Sequence, residues 1–88
     1  MIGHVLKLWL KKYHMSVSEF SSFSGYERKV IYRWLNSESI PTKKSIRNIV
    51  ETIAHHANWT ETAIQFAYVS LLNMRDKEYE FKKNRKKA

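Results

Sequence analysis

The chain has 88 residues, 43% of them hydrophobic and 14% aromatic, which predicts one small domain with a packed core. It has no cysteine, which excludes a disulfide framework and a thiolate metal site. The formal net charge of +8 indicates a polyanionic partner, either a nucleic acid or a membrane surface. The early segment Val5–Leu10 is too short to span a membrane and is interrupted by Lys7, and no signal-peptide pattern precedes it, so we expect a cytoplasmic protein.

The first predicted helix runs from Ile2 to Tyr13. Lysines occupy one side of it, while the other side is a broad apolar face at helical spacing. This pattern is typical of a packing helix, in which Trp9 fills core volume and binds no ligand. The apolar face consists of Ile2, Val5, Leu6, Trp9, Leu10 and Tyr13.

Two short helices that meet at Gly25 are predicted next. Ser16 can cap the first helix, and Glu19, three residues later, can complete a capping box. Gly25 stands where a helix ends in a left-handed conformation, which glycine adopts without strain. The side chains predicted to face the core from this helix are Val17, Phe20 and Phe23.

The second helix of the pair is predicted to turn one side inward and one side outward. Ile31 and Trp34 face the core, and Val30 lies at the edge. The exposed side is cationic and aromatic, and comprises Glu27, Arg28, Lys29, Tyr32 and Arg33.

The spacing of this segment resembles the helix-turn-helix of the Cro and C1 phage-repressor family. Ser21 lies four residues before Gly25, Ile31 six residues after it, Trp34 three residues later and Pro41 seven residues beyond that. The resemblance covers about the first two thirds of the chain. It implies an all-α, five-helix lambda-repressor-like bundle over residues 1–80, followed by a basic flexible tail at 81–88.

Three positions depart from the family pattern. Val17 replaces a glutamine that commonly touches phosphate. Leu10 and Leu35 replace an arginine and glutamate pair, and we expect an apolar contact there because packed side chains can substitute for a buried ion pair. Ser37 replaces a glycine, so we expect a different loop path after the second helix of the motif.

The resemblance also implies roles for individual residues. Arginine and lysine donors suit guanine edges, Tyr32 and Val30 suit thymine methyl groups, and Glu27 either accepts from cytosine or repels phosphates at wrong sites. The base-reading positions are Glu27, Arg28, Lys29, Tyr32 and Arg33. The DNA-backbone positions that it implies are Ser16, Ser18, Asn36, Ser37 and Lys43, and Lys44 is added because it lies beside Lys43 at the start of the next predicted helix.

A fourth helix, capped by Thr42, is predicted from Lys43 to Ala57 with an apolar stripe. Cations in its first turns oppose the helix dipole, which a bound phosphate would relieve; the alternative is a solvated face. His55 and His56 are adjacent and point about 100° apart, so they do not share a metal ion. No catalytic pattern is present, and we expect neither an enzyme nor a cofactor. The stripe consists of Ile46, Ile49, Val50, Ile53 and Ala54.

Asn58 and Glu61 predict a second capping box that starts a fifth helix, from about Trp59 to Tyr79. Phe66 and Val69 project away from its inner face, which predicts a homodimer interface; the alternative is scattered surface apolar residues. The inner face consists of Ile64, Ala67, Tyr68, Leu71, Leu72 and Met74.

These features predict a sequence-specific regulator of transcription that binds duplex DNA, either a dimeric repressor or an autoregulator. A symmetric dimer would read half-sites about 34 Å apart in a palindromic operator. RNA is disfavoured because its major groove is too narrow for a helix. The alternative from another class is a protein-interaction module, an antitoxin or adaptor, whose basic surface serves solubility. Salt dependence of duplex binding separates the two.

Overall fold

The computed structural model describes residues 1–87, with side chains through Lys82, and within that range the chain forms five α-helices and no strand. The predicted all-α class and the number of helices are confirmed. No described helix is both long and apolar enough to cross a membrane. The helices are α1 (Ile2–Lys12), α2 (Val17–Ser24), α3 (Arg28–Leu35), α4 (Lys43–Ala57) and α5 (Glu61–Lys87).

Local capping signals define the ends of the middle helices. The Ser16 hydroxyl accepts from the Glu19 amide at 3.0 Å, and the Glu19 carboxylate accepts from the Ser16 amide at 3.1 Å, which completes the predicted capping box. Gly25 ends α2 with a φ of 82°. Thr42 caps α4 by accepting from the Ser45 amide at 3.1 Å. These predictions from sequence are confirmed.

The predicted start and end of the fifth helix are wrong. Asn58 is the left-handed C-cap of α4, with a φ of 56°, a conformation that asparagine tolerates. The Thr60 hydroxyl accepts from the Ala63 amide at 3.2 Å and takes over the expected capping role. The helix also continues past Tyr79 to Lys87. The flexibility of residues 81–88 stays a prediction, since Ala88 and the side chains of residues 83–87 lie outside the described part.

The core consists of two groups of buried side chains that join all five helices. Phe23, predicted to face the core, is 59% exposed, so that prediction is wrong. Leu10 is buried in the first group and Leu35 packs against the group, so both positions contribute to apolar packing. The first group is Leu6, Leu10, Met15, Phe20, Ile31, Trp34, Ile49 and Ile53, and the second is Ile2, Ile46, Val50 and Leu71.

Helix α1 crosses the last turn of α3 at Gly3, where the two backbones come into close contact. A Cβ atom on Gly3 would collide with the Trp34 carbonyl oxygen and lie 3.0 Å from the Leu35 carbonyl oxygen. Only glycine allows this approach without movement of one helix. The crossing fixes the C-terminal end of α3 against the rest of the bundle.

Candidate nucleic-acid interface

Helix α3 has one face in the core and one in solvent. Ile31 is fully buried and Trp34 is 4% exposed, because the core formed by α1, α2 and α4 packs against them. The opposite side carries three cations and Tyr32, which is 51% exposed. We call Arg28, Lys29, Tyr32 and Arg33 the α3 outer row, and the prediction that these side chains face solvent is confirmed.

The cations of the α3 outer row take part in no ion pair within residues 1–82. The ion pairs there join Arg47 to Glu51 at 3.1 Å and Arg75 to Asp76 at 3.3 Å. Arg28 has one long contact, in which Nη1 lies 3.5 Å from the Ser18 hydroxyl oxygen. Guanidinium and ammonium groups placed in this way can donate to base edges or phosphates without first breaking an internal ion pair.

Tyr26 fixes the turn that precedes α3, a role that the sequence analysis missed. Its backbone carbonyl accepts from the Ser21 hydroxyl at 2.6 Å. Its ring packs edge-on against Trp34, with the ring centres 4.9 Å apart. Its hydroxyl accepts from the Asn48 amide at 2.9 Å and donates to the Ser45 hydroxyl at 3.1 Å. An aromatic residue directly after the turn glycine is the signal that points to this contact.

The loop that follows α3 is held by α5. Ser37 has a left-handed backbone, with a φ of 57°, and its carbonyl accepts from the Lys82 ammonium at 2.9 Å. Seven residues earlier in α5, the Arg75 guanidinium donates to the Pro41 carbonyl at 3.0 Å. Both contacts join residues far apart in the chain, so local sequence patterns gave no indication of them.

Glu78 links α5 to the start of α1. No acidic residue lies in the first turn of α1, and Met1 provides no side-chain cap. The Glu78 carboxylate, 5% exposed, accepts from the Ile2 amide at 3.4 Å. A carboxylate at a helix N-terminus offsets the positive end of the helix dipole. One stretch of α5 therefore positions both the N-terminus of α1 and the loop after α3.

The predicted DNA-backbone residues lie around α3, and all of them except Ser37 are exposed. The contact between Ser18 and Arg28 brings the start of α2 to the first turn of α3, and the bond between Tyr26 and Ser45 brings the start of α4 to the same end. Ser37 is half-buried, and its carbonyl is occupied by Lys82. The exposed members are Ser16, Ser18, Asn36, Lys43 and Lys44.

Phe66 and Val69, the predicted dimer residues, lie on a surface apart from the α3 outer row. Phe66 is 76% exposed and Val69 is 52% exposed. Phe66 borders an apolar groove of about 590 Å³, which we call the α1/α5 groove, and no residue of α3 lines it. Val5, Trp9, Lys12 and Tyr13 also line it from α1 and the residue that follows α1, together with Trp59 and Leu71.

The two adjacent histidines lie at the end of α4 beside α2 and the end of α1. Both are exposed, and His56 Nε2 is 3.2 Å from the Tyr13 carbonyl oxygen. The His56 ring also lies 5.9 Å from the ring of Phe23. In the part of the chain that the structure describes, no three histidine, aspartate or glutamate side chains are grouped to hold a metal ion.

Comparison of the chain with family models, with curated proteins and with solved structures finds no match. A proposal for its function therefore depends on the geometry of its own residues. The relevant features are an exposed cationic helix face, a support at each end of that helix, and a separate apolar groove.

Proposed function

We propose that the protein is a sequence-specific regulator of transcription that binds double-stranded DNA through α3, on a lambda-repressor-like bundle. The exposed α3 outer row, on a helix whose other face is buried, is the observation that carries the proposal. The major groove of B-DNA, about 12 Å wide, admits a single helix, and arginine and lysine are its commonest guanine readers. In this arrangement Arg28, Lys29 and Arg33 contact bases, with Glu27 and Tyr32 beside them.

The surroundings of α3 suit contacts to the DNA backbone. The first turn of α4 has exposed Lys43 and Lys44 and no acidic residue. The first amides of a helix bind phosphate well, and neighbouring lysines add attraction. Ser16 and Ser18, exposed at the start of α2, can donate hydrogen bonds from their hydroxyls to phosphate oxygens. These contacts would set the depth and angle of α3 in the groove.

We further propose that the protein acts as a homodimer through the α1/α5 groove. Two copies that each carry a net charge of +8 repel one another, so they associate most readily through a face with few charges. Among the described residues that line the groove, only Lys12 is charged. Residues 62–74, the part of α5 that borders the groove, include no charged residue. Phe66 of one copy can enter the groove of the other, and two-fold symmetry repeats the contact.

Selection of bound fragments from random duplex tests the DNA-binding proposal. We expect recovered sites to be palindromic, with half-sites about 34 Å apart. Arg33→Ala should cost about 1–3 kcal/mol at the selected site and little on mixed sequence, whereas Lys43→Ala should weaken binding to all sequences. Equal loss on every sequence would contradict base reading by Arg33. Nuclease-treated protein that binds no duplex at low salt would favour the protein-interaction module instead.

Sedimentation across a range of protein concentrations tests the dimer. Phe66→Ser should shift the protein toward monomer because it removes an apolar side chain from the contact. Phe81→Ser is the matched control, since Phe81 is also an exposed α5 phenylalanine, 57% accessible, and does not line the groove. Equal behaviour of the two variants would contradict this interface.

A further inference from the structure

The C-terminal part of α5 lies beside the loop that follows α3. Arg75 contacts the Pro41 carbonyl and Lys82 contacts the Ser37 carbonyl, so α5 passes the loop in the direction of the C-terminal end of α3. Buried Glu78, between these two contacts, holds the same stretch against the start of α1. Three contacts to two different segments fix the direction of the helix at this point.

The helix continues through Lys87, five residues beyond Lys82. At a rise of about 1.5 Å per residue, it extends about 7.5 Å past the contact with Ser37. The last acidic residue in the sequence is Glu80, and five cations follow it, at Lys82, Lys83, Arg85, Lys86 and Lys87. A helix segment of this charge, placed next to an exposed cationic helix, raises the positive potential at one side of the molecule.

We propose that residues 82–87 of α5 form a second DNA-binding element, which holds backbone phosphates next to the segment read by α3. The inference rests on the proposed function, because it presupposes that α3 faces a duplex. Lys82 is the fixed point of this element. One of its ammonium protons is donated to Ser37, and two remain for an anion beside the C-terminal end of α3. Duplex phosphate is favoured over a lipid surface because the anchor lies at α3 and not at the apolar α1/α5 groove.

The test compares two variants that each lose two cations. Arg85→Gln/Lys86→Gln removes two of the five cations that follow Glu80 in the sequence. Lys7→Gln/Lys11→Gln is the matched control, because both are exposed cations of α1, four residues apart, and neither lines the α1/α5 groove. Binding of the full chain to a long mixed-sequence duplex is measured from about 50 to 200 mM salt, and circular dichroism checks that both variants fold.

Each phosphate contact contributes about 0.9 to the slope of log K against log salt. We expect the α5 variant to lower the slope by about 1.8, so that its affinity falls about tenfold less than that of wild type across this salt range. The α1 variant should keep the wild-type slope. Equal slopes for the two variants, with wild type still binding duplex, would overturn this inference and leave the proposed function intact.

Two other outcomes separate the remaining possibilities. If wild type binds no duplex at any of these salt concentrations, the proposed function fails and this inference fails with it. A parallel measurement uses vesicles of phosphatidylserine and phosphatidylcholine. If the α5 variant loses vesicle binding and retains the wild-type duplex slope, the segment binds a membrane surface, and the DNA-binding assignment of α5 is overturned.

Discussion

The two ends of α3 are held in different ways. At the N-terminal end, Gly25 supplies the turn, and the Ser21 hydroxyl binds the Tyr26 carbonyl only five residues away. At the C-terminal end, the supports come from near the two ends of the chain, through the close approach of Gly3 and the Lys82 contact to Ser37. The first end depends mostly on neighbours in sequence, whereas the second depends on the folding of the whole bundle.

This difference has a consequence for the proposed reading of DNA. A helix in the major groove must hold its side chains in place at both ends, because small displacements weaken base contacts. Local opening of α5 would release Ser37 and Pro41 while leaving the turn at Gly25 intact. We therefore expect the C-terminal end of α3 to be the more sensitive to changes far away in the chain.

Gly3→Ala should have the largest effect on stability. The added methyl group meets backbone carbonyl oxygens of Trp34 and Leu35, which cannot rotate away as a side chain does. Overpacking of this kind costs about 1–3 kcal/mol, and we expect about 2, since the higher helix propensity of alanine offsets part of the loss. Thermal unfolding measures this loss of stability. His4→Ala, at the exposed neighbouring position, is the control, and an equal effect there would contradict the close crossing.

Tyr26→Phe should have the next largest effect, at the other end of α3. The change removes the hydroxyl that bonds to Ser45 and Asn48 and leaves the ring against Trp34. Loss of a partly buried hydrogen-bond partner costs about 1–2 kcal/mol. Tyr32→Phe removes an exposed hydroxyl and should leave the midpoint of urea unfolding nearly unchanged. Equal shifts would show that the Tyr26 bonds do not stabilise the turn.

The sequence predicted the parts of this fold that depend on short-range signals. Capping residues, the glycine at the turn and the apolar period of α3 and α4 all act within a few residues, so they were found from the sequence alone. Phe23 was misplaced because helical spacing puts it on the inner face, whereas the short α2 leaves it in solvent. Asn58 was misassigned because asparagine suits either a helix start or a left-handed end.

The contacts of α5 could not be predicted in the same way. Arg75, Glu78 and Lys82 read as ordinary surface charges in the sequence, and each acquires its role from a partner at least 34 residues away. Gly3 had no evident function for the same reason, since the backbone that it approaches belongs to α3. For the candidate site, the sequence identified the exposed row, but the supports on its C-terminal side needed the three-dimensional structure.

Gly25→Ala isolates the cost of the turn itself. An added Cβ atom has no heavy atom within 4 Å, so no collision accompanies the change. A left-handed conformation costs an L-residue about 1–2 kcal/mol, and we expect a net loss of about 1 because alanine also restricts the unfolded chain. For a domain of this size, that corresponds to a fall in melting temperature of about 4–8 °C. An unchanged melting temperature would mean that the turn tolerates another conformation.

Ser37→Gly makes the opposite change at the other end of α3 and should stabilise the protein slightly. The backbone of Ser37 is already left-handed. Its amide donates a hydrogen bond to the Trp34 carbonyl at 3.1 Å, and its carbonyl accepts one from Lys82. Glycine can make both of these backbone hydrogen bonds. Relief of left-handed strain should exceed the entropy that glycine gains in the unfolded chain, for a net gain of about 0.5 kcal/mol. Asn58→Gly is the control. Asn58 is left-handed too, with a φ of 56°, but asparagine tolerates that region, so the gain there should be smaller. If Ser37→Gly instead lowered the melting temperature, the serine side chain would stabilise this loop by more than its backbone conformation costs.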